Sequence, residues 1–275
     1  MSERFEDLVE EVDSAHCTAN SVEALARSAR DALARRIKAR DFRLDCVERI
    51  VNSVASNAVL RGGGPDLHVN ERLNYRFKVF FWDPGFVSAP HQHNTWGITG
   101  VLHNGSSVLL YRKEDGPDPD GAQLVPERQF LAGAGEVGYL VPPCIHSVGN
   151  PGDSISATFH LFSDSADEEL RPNDTIWYPK PGGKAPAGKK PRYGVLRGSA
   201  EMLARIDDAR SMRLLERIFS LGGPHIKLIC VKAMAAIDPQ RTASRRNEFH
   251  ASLPDNLHEA LHTVLSAASL EAPVY

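Results

Sequence analysis

The sequence predicts a mainly β protein, a barrel of short strands over about residues 57–165 flanked by N-terminal and C-terminal α-helices. Three observations predict it. After residue 64, short runs rich in Val, Phe, Leu and Tyr follow one another: YRFKVFFW, WGITGVLH, SSVLLYRK, GYLVPP and ISATFHLF. They are separated by the turn clusters DPG, HNGS, EDGPDPDG, AGAG and NPGD. On either side of this region, apolar residues recur at helical spacing instead. Gly62, Gly63, Gly64 and Pro65 break the chain where the first pattern gives way to the second.

At the N-terminal end, Phe5, Leu8, Val9 and Val12 form one helical stripe, and Val22, Leu25, Ala26, Ala29, Leu33 and Ile37 form another. Asn20 and Ser21 are candidate N-caps, because a short polar side chain there accepts from an otherwise unpaired helix N–H. FRLDCVERIVNSVAS predicts a further short helix. The strand-rich region closes the first domain, residues 1–178. The stretch 179–191, PKPGGKAPAGKKP, reads as a linker or loose loop, since Pro and Gly resist regular structure and the lysines stay solvated. Residues 192–275 return to helical spacing, with Met202, Leu203, Ile206, Leu214, Leu215 and Ile218, then Leu257, Leu261, Val264 and Leu265. These amphipathic helices read first as core packing; they are also candidates for a homo-oligomer interface.

Composition narrows the class. A net charge of -3, without any basic stripe interleaved with aromatics, argues against nucleic acid as a partner. The four cysteines (Cys17, Cys46, Cys144 and Cys230) form no CxxC pair, so neither a structural zinc site nor a disulfide framework is expected. The opening MSERFEDLVEEVD is acidic where a signal peptide is basic and then apolar. No stretch approaches the roughly 20 apolar residues of a membrane span. A reducing cytoplasm is the expected location.

The chemistry concentrates in PGFVSAPHQHNTWGITG. His91 and His93 flank one residue, and on a β-strand positions i and i+2 face the same side. A third histidine, His146 in VPPCIHSVGN, lies on a later strand-like run. Three neutral imidazoles suit a borderline ion such as iron(II), zinc, copper or nickel and leave positions open for other ligands. Cys144 stands two residues before His146 and is a candidate pocket wall, soft ligand or oxidisable thiol.

The order HQHNTWGITGVLHNG, then HSVGNPG, then TFHLF resembles the cysteine dioxygenase family of thiol dioxygenases within the cupins, over about residues 55–165. Trp82 stands where that family has a Trp-Gly turn. The resemblance implies Fe(2+) held by His91, His93 and His146, with dioxygen and a thiol as co-substrates and both oxygen atoms delivered to sulfur. Gly97 and Ile98 occupy the positions where many cupins carry a glutamate, which favours an all-histidine site. The resemblance also makes Arg61 the candidate clamp for a substrate carboxylate, with Arg72 and Arg76 as alternatives; a guanidinium grips a carboxylate with two parallel bonds, which lysine does not. Family members carry a Ser-x-His-x-Tyr network near the metal. Here Thr158 and His160 stand in for its first two members, and Phe162 replaces the tyrosine. Trp96, Thr158, Cys144 and Phe162 are the expected pocket residues, and His160 and Arg61 the expected catalytic ones. No cysteine adjoins the histidine pair, which excludes a Cys-Tyr crosslink, and Tyr111 and Tyr139 are candidates to supply the missing hydroxyl.

The functional expectation is an iron(II)-dependent dioxygenase acting on a small thiol other than cysteine. Two alternatives stand beside it: a three-histidine oxygenase of a non-thiol substrate, and a non-catalytic metal-binding sensor.

Overall fold

The computed structural model describes residues 4–56, 64–114, 123–163, 175–178 and 191–270. Its contacts divide the chain into two units, Met1–Arg43 with Arg61–Lys189, and Leu44–Leu60 with Lys190–Tyr275. In the first unit, α1 (Phe5–Thr18) and α2 (Val22–Arg36) precede the strands; α3 (Arg40–Ala55) runs from the first unit into the second. Ser21 caps α2 by accepting from Ala24 N–H at 3.1 Å, as its sequence position predicts. Glu11 of α1 ties the two helices by pairing with Arg35 and Arg36 of α2, and this pairing, Arg36 foremost, lowers its pKa.

Ten strands follow among the described residues: β1 (Asp66–Asn70), β2 (Tyr75–Trp82), β3 (His91–His93), β4 (Gly97–His103), β5 (Gly105–Glu114), β6 (Gln123–Gly133), β7 (Val137–Leu140), β8 (Ile145–Gly149), β9 (Ser156–Ser163) and β10 (Thr175–Trp177). They form two antiparallel sheets, ordered β1-β2-β9-β4-β7 and β10-β3-β8-β5-β6. The strands do not close into one barrel, and β10 lies beyond the expected limit of residue 165. Helical residues outnumber strand residues among those described, so the expectation of a mainly β chain is corrected to a mixed one.

Alternation along β2 sorts the core. Tyr75, Phe77 and Val79 are fully buried on the face toward the helices, where Phe5 of α1 meets Phe77 at 5.6 Å and Phe159 of β9 at 6.3 Å between ring centroids. Gly100 lets α2 approach β4: an added Cβ would lie 2.3 Å from Ile37 Cδ1 and 3.1 Å from Leu33 Cδ2. The other face of β2, carrying Arg76, Lys78, Phe80 and Trp82, looks toward the second sheet.

The second unit is helical: α4 (Pro191–Leu203), α5 (Ala209–Leu221), α6 (Pro224–Ile237), α7 (Pro239–Ser244), α8 (Arg246–Ser252) and α9 (His258–Leu270). α6 lies centrally, touching α4, α5, α7 and α9, and buries Ile226, Cys230, Val231 and Met234. Arg210 bridges Asp45 at 2.6 Å and Glu48 within this unit. Most of the expected linker, residues 179–190, falls outside the described residues; its last residue, Pro191, opens α4, where a proline lacks no bond because the first helical N–H groups have no partner.

Candidate metal centre

β3 is no longer than His-Gln-His. Strand alternation turns His91 and His93 to one face and Gln92 to the other, where its Oε1 accepts from Tyr178 Oη at 3.1 Å. β8 pairs with β3 so that His146 stands directly opposite His91. Cross-strand partners share a face, and the three imidazoles therefore converge, with ring centroids 4.4 Å (His91–His146), 5.1 Å (His91–His93) and 5.4 Å (His93–His146) apart. One ligating atom from each lies within 4.8 Å of the other two, the one such group of three among the described residues.

Two of the rings are oriented by the same device. His91 Nδ1 lies 2.9 Å from the carbonyl of Ala89, and His146 Nδ1 lies 3.2 Å from the carbonyl of Cys144, in each case two residues back along the chain. A carbonyl only accepts, so Nδ1 carries the proton and Nε2 keeps its lone pair toward the shared space. Burial disfavours the charged imidazolium and lowers all three pKa values, His93 to about 4 and His146 to about 3, with repulsion from His91 acting in the same direction on both. Three neutral nitrogen donors, two of them pre-oriented, without a carboxylate in their group fit a divalent transition ion.

The facing wall comes from the first sheet. Phe162 is 7% exposed, and its ring centroid lies 5.4 Å from that of His93 and 5.2 Å from that of His160. Thr158, His160 and Phe162 share this face of β9 by alternation. His160 is not part of the ligating group. Its Nε2 lies 2.7 Å from Thr158 Oγ1 and its Nδ1 3.1 Å from Thr99 Oγ1. Trp82 Nε1, which only donates, reaches Thr158 Oγ1 at 2.7 Å. The buried Thr158 hydroxyl proton has one acceptor among the described residues, His160 Nε2. His160 therefore carries its proton on Nδ1 and donates to Thr99. Burial, reinforced by repulsion from the neighbouring histidines, lowers its pKa to about 3.

Trp96, Tyr111 and Tyr139 lie away from the histidine trio. Trp96 is buried against His16 of α1, with ring centroids 5.9 Å apart, on the helix-covered side; its position next to Gly97 did not disclose which way the ring turns. Tyr111 points away from the histidines, since it shares a face with Ser147, whose Oγ is 3.2 Å from its hydroxyl, and not with His146. Tyr139 shares the helix side of β4 and β7 with Ile98 and Leu161 and meets Arg27 of α2. Neither tyrosine supplies the hydroxyl that Phe162 lacks. Cys144 is half-buried, and burial raises its thiol pKa; its carbonyl, rather than its sulfur, orients His146. Arg61 lies outside the described residues. Arg72 is exposed, whereas Arg76 lies on the inner face of β2 directly across from Phe162.

One inner group escaped the sequence reading. Lys78, across from His160, is 4% exposed and pairs with Asp66 of β1 at 3.0 Å, while Arg76 lies 3.7 Å from the same carboxylate. The alternation in YRFKVFFW placed both cations on the face of Phe80 and Trp82 and was the available signal. A second motif is a decoy. HEALH at 258–262 has the spacing that sets two imidazoles on one helix face. However, His258 Nε2 donates to the carbonyls of His250 and Leu253 at 3.1 and 3.0 Å, and its ring stacks on His250. The cavity of about 390 Å³ beside it, lined by Arg246, His250 and His262 among others, brings no three ligating atoms together.

No family model matches the chain. Solved structures similar to part of it include a cupin protein and an oxalate decarboxylase. A cupin 2 conserved barrel domain protein from Salinispora arenicola is 22% identical over 38% of this chain and 76% of its own, with a TM-score of 0.28. Two variants of Bacillus subtilis oxalate decarboxylase are 22% and 20% identical over 34% and 38% of this chain, with TM-scores of 0.27 and 0.28. The chain spans less than a quarter of either decarboxylase chain, 22% and 24%. Among the described residues, no helix is long and apolar enough to cross a membrane.

Proposed function

We propose that this protein is an iron(II)-dependent dioxygenase that oxidises the sulfur of a small thiol other than cysteine. The observation that carries the reading is the convergence of His91, His93 and His146 without a carboxylate in their group. The order of motifs that resembles the cysteine dioxygenase family supports the choice of metal and reaction. When bound, iron(II) supplies the redox chemistry by which dioxygen oxidises a thiol.

The chain's own residues hold and shape. Ala89 and Cys144 carbonyls fix two of the donor rings. Arg76 replaces Arg72 as the alternative to Arg61 for gripping a substrate carboxylate, because it faces the wall that carries Phe162. Phe162 offers apolar area beside His93 where the family has a hydroxyl. A substrate group that needs that hydroxyl would be left unpaired there, at a cost of about 1–3 kcal/mol. The same phenyl ring favours a second reading, a three-histidine oxygenase of a non-thiol substrate.

The test is metal analysis of the purified chain, followed by oxygen uptake with cysteine, 3-mercaptopropionate, larger aryl and alkyl thiols, and non-thiol substrates. The expected result is bound iron, uptake with a thiol bulkier or less polar than cysteine, and a shift toward cysteine in Phe162→Tyr. Cysteine as the best substrate of the wild type, with Phe162→Tyr unchanged, would refute the pocket reading. Uptake with non-thiols alone would select the second reading.

A further inference from the structure

Trp82 and Trp96 each have a place in the interior: Trp82 donates to Thr158, and Trp96 is 5% exposed against α1. Trp177 differs. It is 52% exposed. Yet it is held in place. β10 pairs with β3 in a register that sets Trp177 opposite His91, and the backbone continues into a bond from Tyr178 N–H to the carbonyl of Pro90 at 2.9 Å. Cross-strand partners share a face, so Trp177 stands on the side of His91, His93 and His146. Its ring centroid is 4.7 Å from that of His91, at an interplanar angle of 37°. Phe162 flanks His93 from the other sheet at 5.4 Å. The three-histidine group is therefore bordered by an aromatic ring on each side, and the one at Trp177 is open to solvent.

A half-exposed indole leaves a large apolar area wet, which burial against a flat apolar group would remove from water. We propose that Trp177 is a specificity residue, the platform on which the body of the substrate rests while its head reaches the metal position, and that the substrate carries an aromatic ring or a comparable flat apolar group. This deepens the proposed function and rests on its metal reading, but not on the thiol.

The test uses the full chain loaded with cobalt(II), whose visible absorption reports ligand entry without turnover. Acetohydroxamate and benzohydroxamate present the same metal-binding head and differ in a methyl against a phenyl group. The wild type is expected to bind benzohydroxamate about tenfold more tightly than acetohydroxamate, the scale of one ring stacked on another. Trp177→Ala should lose most of that preference at unchanged cobalt content, and Trp177→Phe should keep most of it. An equal preference in wild type and Trp177→Ala would overturn the proposal. So would loss of cobalt from Trp177→Ala, because Trp177 would then be a prop for His91. Ethanethiol and phenylmethanethiol are titrated separately. If neither perturbs the cobalt spectrum, the thiol reading fails while the hydroxamate ratio still judges Trp177. A wild-type chain that binds no cobalt would overturn the metal reading and the proposal together.

Discussion

Replacing Thr158 with valine changes one oxygen into a methyl group and leaves the volume of a fully buried side chain almost unchanged. The cost is therefore polar rather than steric. His160 Nε2 loses its donor at 2.7 Å and Trp82 Nε1 loses its acceptor at 2.7 Å. His160 is only 5% exposed, so its unpaired nitrogen costs about 1–3 kcal/mol; Trp82 is partly exposed and adds less, so the total is about 2–4 kcal/mol. Thr158→Ser keeps the hydroxyl and removes one methyl, at about 1 kcal/mol. Urea unfolding at pH 7, followed by tryptophan fluorescence, reads the difference, since Trp82, Trp96 and Trp177 all belong to the strand-rich unit. The midpoint should fall in the order wild type, Thr158→Ser, Thr158→Val, with the denaturant slope unchanged. A valine variant no less stable than the serine one would show that the Trp82–Thr158–His160–Thr99 chain does not exist as drawn.

His91→Ala, His93→Ala and His146→Ala should each lower bound iron by at least about tenfold, while circular dichroism stays native; full iron occupancy in the triple variant would remove the site. In the metal-free protein, His160 titrates near 3 when folded and near 6.5 when unfolded, so the unfolded chain binds the extra proton between those values. Its contribution is complete above pH 6.5 and is lost as the pH falls below it, by about 2 kcal/mol at pH 5. His160→Gln should reduce the slope of stability against pH in that window by one proton, and an unchanged slope would count against a neutral buried His160. Gly100→Ala should destabilise by about 1–3 kcal/mol, because Ile37 and Leu33 must move to admit the new Cβ; a wild-type melting profile would contradict the close approach of α2.

The strands legible in the sequence are those with one buried apolar face. YRFKVFFW became β2 residue for residue, and ISATFHLF lies almost wholly within β9. β6 was passed over because QLVPERQFLAG is exposed along most of its length and carries Pro126, so it shows no buried alternation. α6 was missed for the opposite reason. PHIKLICVKAMAAI is apolar on most sides, as a central helix must be, and presents no single stripe. The ligands were legible because HQH spacing and strand alternation are local rules. What was not legible depends on direction across strands: Trp96 turned to α1, Tyr111 to Ser147, and Lys78 to Asp66. Trp177 was invisible because a three-residue strand acquires its meaning from its register with β3.

The hydrogen bonds also define how His160 is held. Resemblance makes it an expected catalytic residue; both its nitrogens are engaged by threonines, and the donor-only indole of Trp82 fixes the sense of the whole chain of bonds. The proton on His160 points to Thr99 on β4. It does not point to the histidine trio on the other sheet. Phe162 carries no proton to give, and the hydroxyls of Tyr111 and Tyr139 are turned elsewhere. On this wall, the cations Lys78 and Arg76 gather around Asp66. His160 is thus held between two hydroxyls, with its ring stacked beside that of Phe162. This wall turns the Phe162 ring toward His93, with its two cations paired to Asp66.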